Sequence, residues 1–292
     1  MVFEEIIINQ FLQSYSTPIL DLFFKLSTYL GHPGPWILLA AWLFWLGYER
    51  KSFVLMSIIL FTGAIAGAMK IFIMRPRPEG IILMETEASY SMPSAHTALI
   101  SAFATFGWLK KTLKKPLKVL LLIAVILLAI SRMYLGVHYL SDVIVGLLIG
   151  ILIGWVVIKT EAKINKMHFK ITKIRDEFLI VGFFIAAVIF YMFIQSAYPE
   201  AFALFGYFAG YALYRHSSID LKPVQTKKQA IVIVLFGTLF TGAIYYLATK
   251  TQGIEQICTY FLVGLFVTVF WPVVIHKYVS KREEHKEKKK KK

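Results

Sequence analysis

Long apolar runs separated by short polar gaps recur along the whole chain. Several runs approach the roughly 20 residues that a helix needs to cross a bilayer. The composition agrees with this pattern, since 58% of the 292 residues are hydrophobic and only 17% are charged. We therefore predict an all-α protein, a polytopic transmembrane bundle of about nine to ten helices. The predicted spans lie at about 35–49, 53–73, 95–109, 117–135, 141–159, 177–197, 201–215, 230–248 and 255–275.

The N-terminal region differs from these runs. Residues 1–14 carry two glutamates where a secretory signal would be basic, so we expect this segment to be retained. From about residue 17 to residue 30 the apolar pattern is interrupted by Asp21 and Lys25. This interruption favours an amphipathic helix at the membrane interface over a span.

The basic residues lie mainly in the gaps, and every second gap is rich in lysine or arginine. By the positive-inside rule these gaps are cytoplasmic. A nucleic-acid-binding protein of net charge +15 would instead show a basic face with stacking aromatics, so we predict no nucleic-acid partner. Some basic residues fall on the opposite side and cluster near two histidines, which suggests that they bind an anion. These basic residues are Lys70, Arg75, Arg77 and Arg132.

Three segments bring polar side chains to this predicted extracytoplasmic face: "KIFIMRPRP", "SMPSAHT" and "SRMYLGVHYLSD". An ionisable side chain at membrane depth is costly and usually belongs to a functional site. The candidate site residues are Lys70, Arg77, Ser94, His96, Arg132, His138 and Asp142.

These residue types suit phosphoryl transfer, in which negative charge spreads over three equatorial oxygens. Arg77 and Arg132 can each present a planar fork to two oxygens, and Lys70 adds a compact charge. Ser94 and the backbone N–H groups at the start of its helix add further donors. We therefore predict that these four residues bind phosphate.

Two histidines and a carboxylate can supply the bond and proton chemistry. His138 and Asp142 are four residues apart, so in a helix both would lie on one face and Asp142 would fix the imidazole tautomer. His138 is then predicted to become a phosphohistidine, while His96 protonates the leaving oxygen and later activates water. Because the cations already neutralise the phosphate, we predict no metal and no cofactor. His32 has no comparable neighbours and is assigned no role.

Other residues of interest are predicted to stay outside the chemistry. Glu79, Glu85 and Glu87 lack a His or Asp at a ligand spacing, so we interpret them as solvated loop residues. Arg75 could contact substrate, but a solvated or headgroup-facing side chain is the favoured interpretation. Cys258 is the only cysteine, which excludes an internal disulfide and a thiolate metal cluster.

The three segments resemble the tripartite signature of the type 2 phosphatidic acid phosphatase superfamily. The signature is met by a lysine, six intervening residues and Arg-Pro, by Pro-Ser-Ala-His, and by Ser-Arg, five residues, His, three residues, Asp. Ala95 stands where the signature usually has glycine, but alanine keeps the backbone N–H. The resemblance covers about residues 17–160 and implies an integral-membrane phosphatase with a six-helix core that acts on phosphorylated lipids. The stretch "YSMPSAHT" is also similar to the sphingosine-phosphate phosphatase branch.

Small residues in two spans predict close helix packing. Gly146, Gly150 and Gly154 lie on one face of the fifth span, and Gly63 and Gly67 repeat the pattern in the second. We expect packing within the chain, with a homodimer seam as the alternative.

We predict three regions: a membrane phosphatase core with an N-terminal amphipathic helix at 1–176, additional transmembrane helices at 177–276, and a basic cytoplasmic tail at 277–292. The predicted reaction is hydrolysis of a phosphomonoester or pyrophosphate on a membrane lipid, at the extracytoplasmic side of the cell membrane. Polyprenyl pyrophosphate, phosphatidic acid, phosphatidylglycerol phosphate and sphingoid-base phosphate remain open as substrates. The alternatives are transfer of the phosphoryl group to an acceptor lipid, and headgroup binding without chemistry by a transporter or scramblase.

Overall fold

The computed structural model describes residues 2–85, 87, 89–164, 176–194, 201–217, 219, 221, 223–224 and 226–279. Over these residues the chain forms eleven α-helices and no β-strand, which confirms the predicted all-α class. The helices are α1 (Val2–Gln13), α2 (Pro18–Thr28), α3 (Pro33–Trp45), α4 (Glu49–Ile73), α5 (Ala95–Leu109), α6 (Lys115–Tyr134), α7 (Leu140–Ile164), α8 (Asp176–Ile194), α9 (Ala201–His216), α10 (Lys227–Ala248) and α11 (Gly253–Leu265).

Several helical segments have the length and apolar character of membrane spans. Five are long enough to cross a bilayer: Glu49–Ile73, Lys115–Tyr134, Leu140–Glu161, Lys227–Ala248 and Gly253–Val279. Three shorter apolar helices are Pro33–Trp45, Ala95–Leu109 and Ile180–Ile189. The chain is therefore a multi-pass membrane protein, as predicted.

The helices divide between two compact units. Unit 1 comprises residues 1–37 and 54–168, and unit 2 comprises residues 38–53 and 169–292. Every predicted site residue belongs to unit 1. The predicted basic tail lies outside the described residues from position 280 onward.

Unit 2 has an apolar core of its own. Helices α8, α9 and α11 pack around buried side chains that include Phe202, Tyr260 and Phe261. The indole N–H of Trp45 donates to the carbonyl oxygen of Val267 at 2.9 Å, which joins the end of α3 to the segment after α11. This packing is compatible with the prediction that residues 177–276 form additional transmembrane helices.

Two short helices precede the first apolar run. The side-chain oxygen of Thr17 accepts a hydrogen bond from the backbone N–H of Leu20 at 3.3 Å and so caps α2, and Pro18 occupies the first turn, where a missing N–H is tolerated. The exposed apolar side chains of α2 are Ile19, Leu22, Phe23 and Leu26. Ser27 and Thr28 are buried instead, and the position of α2 at the membrane interface stays a prediction.

The glycines of α7 lie against α5. A Cβ added at Gly146, Gly150 or Gly154 would come within 2.6, 2.3 or 2.5 Å, respectively, of a backbone oxygen of α5 or of its N-cap residue. The two backbones therefore approach more closely than larger residues would permit, and the predicted packing within the chain is present. By contrast, a Cβ at Gly63 or Gly67 would meet no atom of the described residues within 4 Å, so those glycines make no such contact there.

Substitution of Gly150 by alanine is expected to destabilise the α5–α7 interface. The new methyl group would lie 2.3 Å from the carbonyl oxygen of Ala98 and 2.6 Å from the Cβ of Ser101. Overpacking of this kind costs roughly 1–3 kcal/mol. We expect a lower midpoint of thermal unfolding, measured as the loss of monodisperse protein in detergent. Gly63→Ala is the matched control and should keep the wild-type midpoint, and equal midpoints for the two variants would contradict the tight packing.

Candidate active site

The three predicted segments meet at one end of unit 1. Lys70 lies in the last turn of α4 and Arg132 in the last turn of α6, whereas Ser94 immediately precedes α5 and Asp142 lies in the first turn of α7. This convergence follows from the chain path, because α4 and α6 end where α5 and α7 begin. Arg77 and His138 come from the connections between these helices, and His96 lies in the first turn of α5.

Ser94 forms the N-cap of α5, and this cap links α5 to α7. Its buried side-chain oxygen accepts a hydrogen bond from the backbone N–H of Thr97 at 3.4 Å. Its own backbone N–H donates to the carbonyl oxygen of Asp142 at 3.0 Å. A helix start of this kind presents backbone N–H groups to an anion, which supports the predicted role of this turn.

The three predicted cations are buried or nearly so. Lys70 is 3% exposed, and its ammonium group donates to the hydroxyl of Ser89 at 2.9 Å. Arg77 donates to the carbonyl oxygens of Ser89 and Val137 at 2.7 and 2.6 Å. Arg132 has no exposed surface. Cations removed from water in this way require anionic partners.

Two carboxylates of the α4–α5 connection supply these partners. Glu87 accepts hydrogen bonds from Arg77 at 2.8 Å and from Arg132, and one of its oxygens lies 3.7 Å from Nδ1 of His96. Glu85 accepts a hydrogen bond from Arg132 at 2.6 Å. The prediction that Glu85 and Glu87 are solvated is therefore wrong, because the buried guanidinium groups attract the carboxylates that the connection can bring to them.

The environment of Glu87 indicates what this cluster can bind. Burial alone would raise the pKa of Glu87, but the charges of Arg132, His96 and Arg77 lower it to about 2. The carboxylate is thus ionised at neutral pH, and it bridges two arginines as the oxygens of a phosphate would.

His138 lies in the connection between α6 and α7 and not on a helix. Because α7 begins at Leu140, the helical geometry considered for His138 and Asp142 is not formed. Instead, Oδ2 of Asp142 accepts a hydrogen bond from the backbone N–H of Tyr139 at 2.9 Å, which caps α7. Nδ1 of His138 lies 3.5 Å from the same oxygen. Neither ring nitrogen of His138 has a hydrogen-bond partner among the described residues, although the ring is buried.

The electrostatic surroundings of His138 favour a neutral imidazole. Burial and the charges of Arg132 and Arg77 hold the pKa of His138 well below its usual range. A lone pair is therefore available for nucleophilic attack at neutral pH. The turn that presents this ring uses Gly136 at a φ of 78°, where a Cβ would also meet the carbonyl oxygen of Ile82 at 2.6 Å.

Arg75 belongs to the site, so the favoured interpretation of a solvated side chain is wrong. Its guanidinium group donates to Oδ1 of Asp142 at 2.7 Å and to Glu5 at 3.1 Å. The same group lies 4.2 Å from the ring centroid of Tyr139. Its carboxylate partners are 67 and 70 residues away along the chain, which is why local sequence could not identify them.

Residues that precede the first span also contact the site, and they were not predicted. Glu5, Asn9 and Gln13 of α1 form hydrogen bonds with the α6–α7 segment. Their four-residue spacing was the available signal, since it places three polar side chains on one face of a helix. His32, which was assigned no role, has its ring centroid 6.1 Å from that of His96.

The arrangement combines the groups that phosphoryl transfer requires: buried cations, a neutral imidazole facing a carboxylate, and a second imidazole near the cations. Among the described residues, no group of three or more His, Cys, Asp or Glu side chains is arranged to hold a metal ion. That the reaction needs no metal and no cofactor stays a prediction.

This part of the chain is similar in sequence to known proteins. Residues 51–166 match the PAP2 superfamily. Dihydrosphingosine 1-phosphate phosphatase YSR3 of Saccharomyces cerevisiae is 30% identical over 152 residues, covering 47% of this chain and 38% of that protein. Phosphatidylglycerophosphatase B of Bacillus subtilis is 31% identical over 134 residues, covering 42% of this chain and 66% of that protein. The chain therefore spans less than two thirds of the length of these two relatives.

One solved structure is also similar to part of this chain. The crystal structure of Aquifex aeolicus LpxE is 31% identical, with coverage of 52% of this chain and 92% of that chain and a TM-score of 0.47. All the predicted site residues, from Lys70 to Asp142, fall inside the matched range 51–166. The match of residues 51–166 to the PAP2 superfamily confirms the predicted resemblance.

Proposed function

We propose that this protein hydrolyses a phosphomonoester or diphosphate on a membrane lipid, through a phosphohistidine formed on His138. The observation that carries the proposal is the carboxylate of Glu87, which is largely removed from solvent and bridges Arg77 and Arg132 beside His96. Side chains that hold an ionised carboxylate in this way are suited to hold phosphate oxygens. The match to the PAP2 superfamily and the names of the relatives, which are phosphatases of lipids, support the same reaction.

The proposed reaction has two steps. In the first, Nε2 of His138 bonds to phosphorus while the bond from phosphorus to the leaving oxygen breaks, and His96 gives a proton to that oxygen. Asp142 faces Nδ1 of His138 and so keeps the proton of the imidazole on that nitrogen. In the second step His96 takes a proton from water, the water oxygen bonds to phosphorus, and the P–N bond breaks. Arg77 and Arg132 stabilise the charge on the phosphate oxygens in both steps.

The relatives indicate which substrates to test first. Their names specify a phosphorylated sphingoid base and phosphatidylglycerol phosphate. Phosphatidic acid and a polyprenyl diphosphate complete the set, because each carries a phosphate at the end of an apolar tail. We propose that one or more of these four lipids is the substrate.

We also propose that the site faces the extracytoplasmic side of the cell membrane. The connection from α5 to α6 carries Lys110, Lys111 and Lys114, at the end of α5 opposite to Ser94. By the positive-inside rule that basic end is cytoplasmic. Hydrolysis of a short-chain, membrane-impermeant phosphate ester by intact cells would test this orientation.

The function is tested by incubating the purified protein in detergent with each lipid, with and without an acceptor lipid. We expect inorganic phosphate to be released from at least one lipid, and a radiolabelled phosphoenzyme that is labile in acid and stable in base, as a phosphohistidine is. Label transferred to the acceptor without phosphate release would instead identify a phosphotransferase. Movement of headgroups across vesicles without either product would identify a transporter or scramblase and contradict the proposal.

A further inference from the structure

Helix α1 carries a row of polar residues that contact the segment around His138. Glu5, Asn9 and Gln13 are four residues apart and therefore share one face of the helix. Asn9 has no exposed surface. A buried amide is costly unless it is hydrogen-bonded, so the partners of these side chains are informative.

Asn9 binds the main chain on both sides of the turn that presents the proposed nucleophile. Its amide N–H groups donate to the carbonyl oxygen of Met133 at 2.8 Å and to that of His138 itself at 3.0 Å. Gln13, one turn further along α1, donates to the carbonyl oxygen of Tyr134 at 2.9 Å. The two amides thus add side-chain donors to carbonyl groups at the end of α6 and at His138, and they hold the turn against α1.

Glu5 acts on the other side of the same turn. One carboxylate oxygen accepts hydrogen bonds from the backbone N–H and the hydroxyl of Ser141, at 2.9 and 2.7 Å, and the other accepts from Arg75 at 3.1 Å. Arg75 in turn donates to Oδ1 of Asp142 at 2.7 Å, and Oδ2 of that carboxylate lies 3.5 Å from Nδ1 of His138. A continuous set of polar contacts therefore joins α1 to the carboxylate that faces the imidazole.

We propose that α1 is a positioning element for catalysis and that Glu5, Asn9 and Arg75 are positioning residues. They hold His138 and Asp142 in the geometry for attack on phosphorus without touching the substrate. This inference rests on the proposed function. None of these contacts involves the side chains proposed to bind phosphate, so their loss should slow the chemical step more than it weakens ground-state binding.

Asn9→Leu is the sharpest test, because leucine has a similar volume and lacks both donors. A displacement of about 1 Å at the reacting group can cost roughly 100-fold in rate, so we expect kcat to fall by about that factor. KM and the inhibition constant of inorganic phosphate should stay within about twofold of wild type. Orthovanadate mimics the pentacoordinate transition state by bonding to the imidazole, and its inhibition should weaken by the same factor as kcat.

The matched control is Gln10→Leu, which changes an exposed amide on α1 next to Asn9 and should leave every constant at its wild-type value. The second side of the turn is tested by three variants: Glu5→Gln, Arg75→Met and Arg75→Lys. These variants keep the proposal testable if Asn9→Leu does not fold. We expect roughly tenfold lower kcat for Glu5→Gln, a larger loss for Arg75→Met, and partial recovery in Arg75→Lys.

Two failures can be distinguished. If the wild type hydrolyses a lipid phosphate while Asn9→Leu and Glu5→Gln keep wild-type kcat, α1 does not position the site and the inference is overturned. Equal losses in kcat and in phosphate affinity would also overturn it, because they would indicate a general structural defect. A wild type that hydrolyses none of the four lipids would overturn the proposed function instead.

Discussion

Replacement of His138 by alanine is expected to lower lipid-phosphate hydrolysis by a factor on the order of 10⁴ or more, as the loss of a nucleophile commonly does. Without the imidazole no P–N bond can form, and the remaining cations provide only electrostatic stabilisation. The buried ring has no hydrogen-bond partner for either nitrogen among the described residues, so its removal breaks no hydrogen bond there. The measurements are the rate of phosphate release and the amount of radiolabelled phosphoenzyme.

His276→Ala is the matched control, because it makes the same chemical change in unit 2 and should leave turnover unchanged. The inhibition constant of inorganic phosphate for His138→Ala should stay near that of wild type, since Arg77 and Arg132 remain. Wild-type turnover in His138→Ala would contradict the assignment of the nucleophile. Phosphoenzyme formation by this variant would show that another side chain accepts the phosphoryl group.

The bounds of a helix could be predicted where the length of an apolar run and a capping residue at its start indicate the same position. The predicted span 95–109 has the same bounds as α5, because the chain there is apolar up to a basic gap and begins at a serine that caps the helix. The predicted span 141–159 begins one residue from the start of α7 at Leu140, so the hydrophobic pattern already left His138 outside the helix. The turn at Gly136, where φ is positive, is what separates the end of α6 from this start.

The membership of the candidate site could be predicted from the order and spacing of its three segments, but the pairing of its charges could not. Glu87 meets Arg132 across 45 residues of sequence, and Arg75 meets Glu5 across 70. Glu79 lies in the same connection as Glu87 and is exposed, as predicted. The two acids are of the same type and lie in one connection, so only the folded chain determines which one reaches the arginines.

Glu87→Gln is expected to strengthen the binding of inorganic phosphate. The carboxylate of Glu87 occupies donors of Arg77 and Arg132 that we propose for the substrate, so the two anions compete. Two unit charges 4 Å apart interact by about 4 kcal/mol at an effective dielectric constant of 20, which sets an upper bound on the competition. Because the Glu87 side chain is 17% exposed and the glutamine amide can still accept one hydrogen bond, we expect the inhibition constant to fall by a smaller factor, on the order of tenfold.

The pH dependence and a matched control make this expectation specific. The folded-state pKa of Glu87 is lowered to about 2, so its carboxylate loses its charge only as the pH falls toward that value. The ratio of the inhibition constants of wild type and variant should therefore stay constant from about pH 5 to about pH 8, where the ionisation of phosphate itself affects both proteins equally. Glu79→Gln removes the same charge from an exposed position of the same connection and should leave the constant unchanged. Unchanged or weaker phosphate binding by Glu87→Gln would mean that this carboxylate orients the arginines for phosphate and does not compete with it.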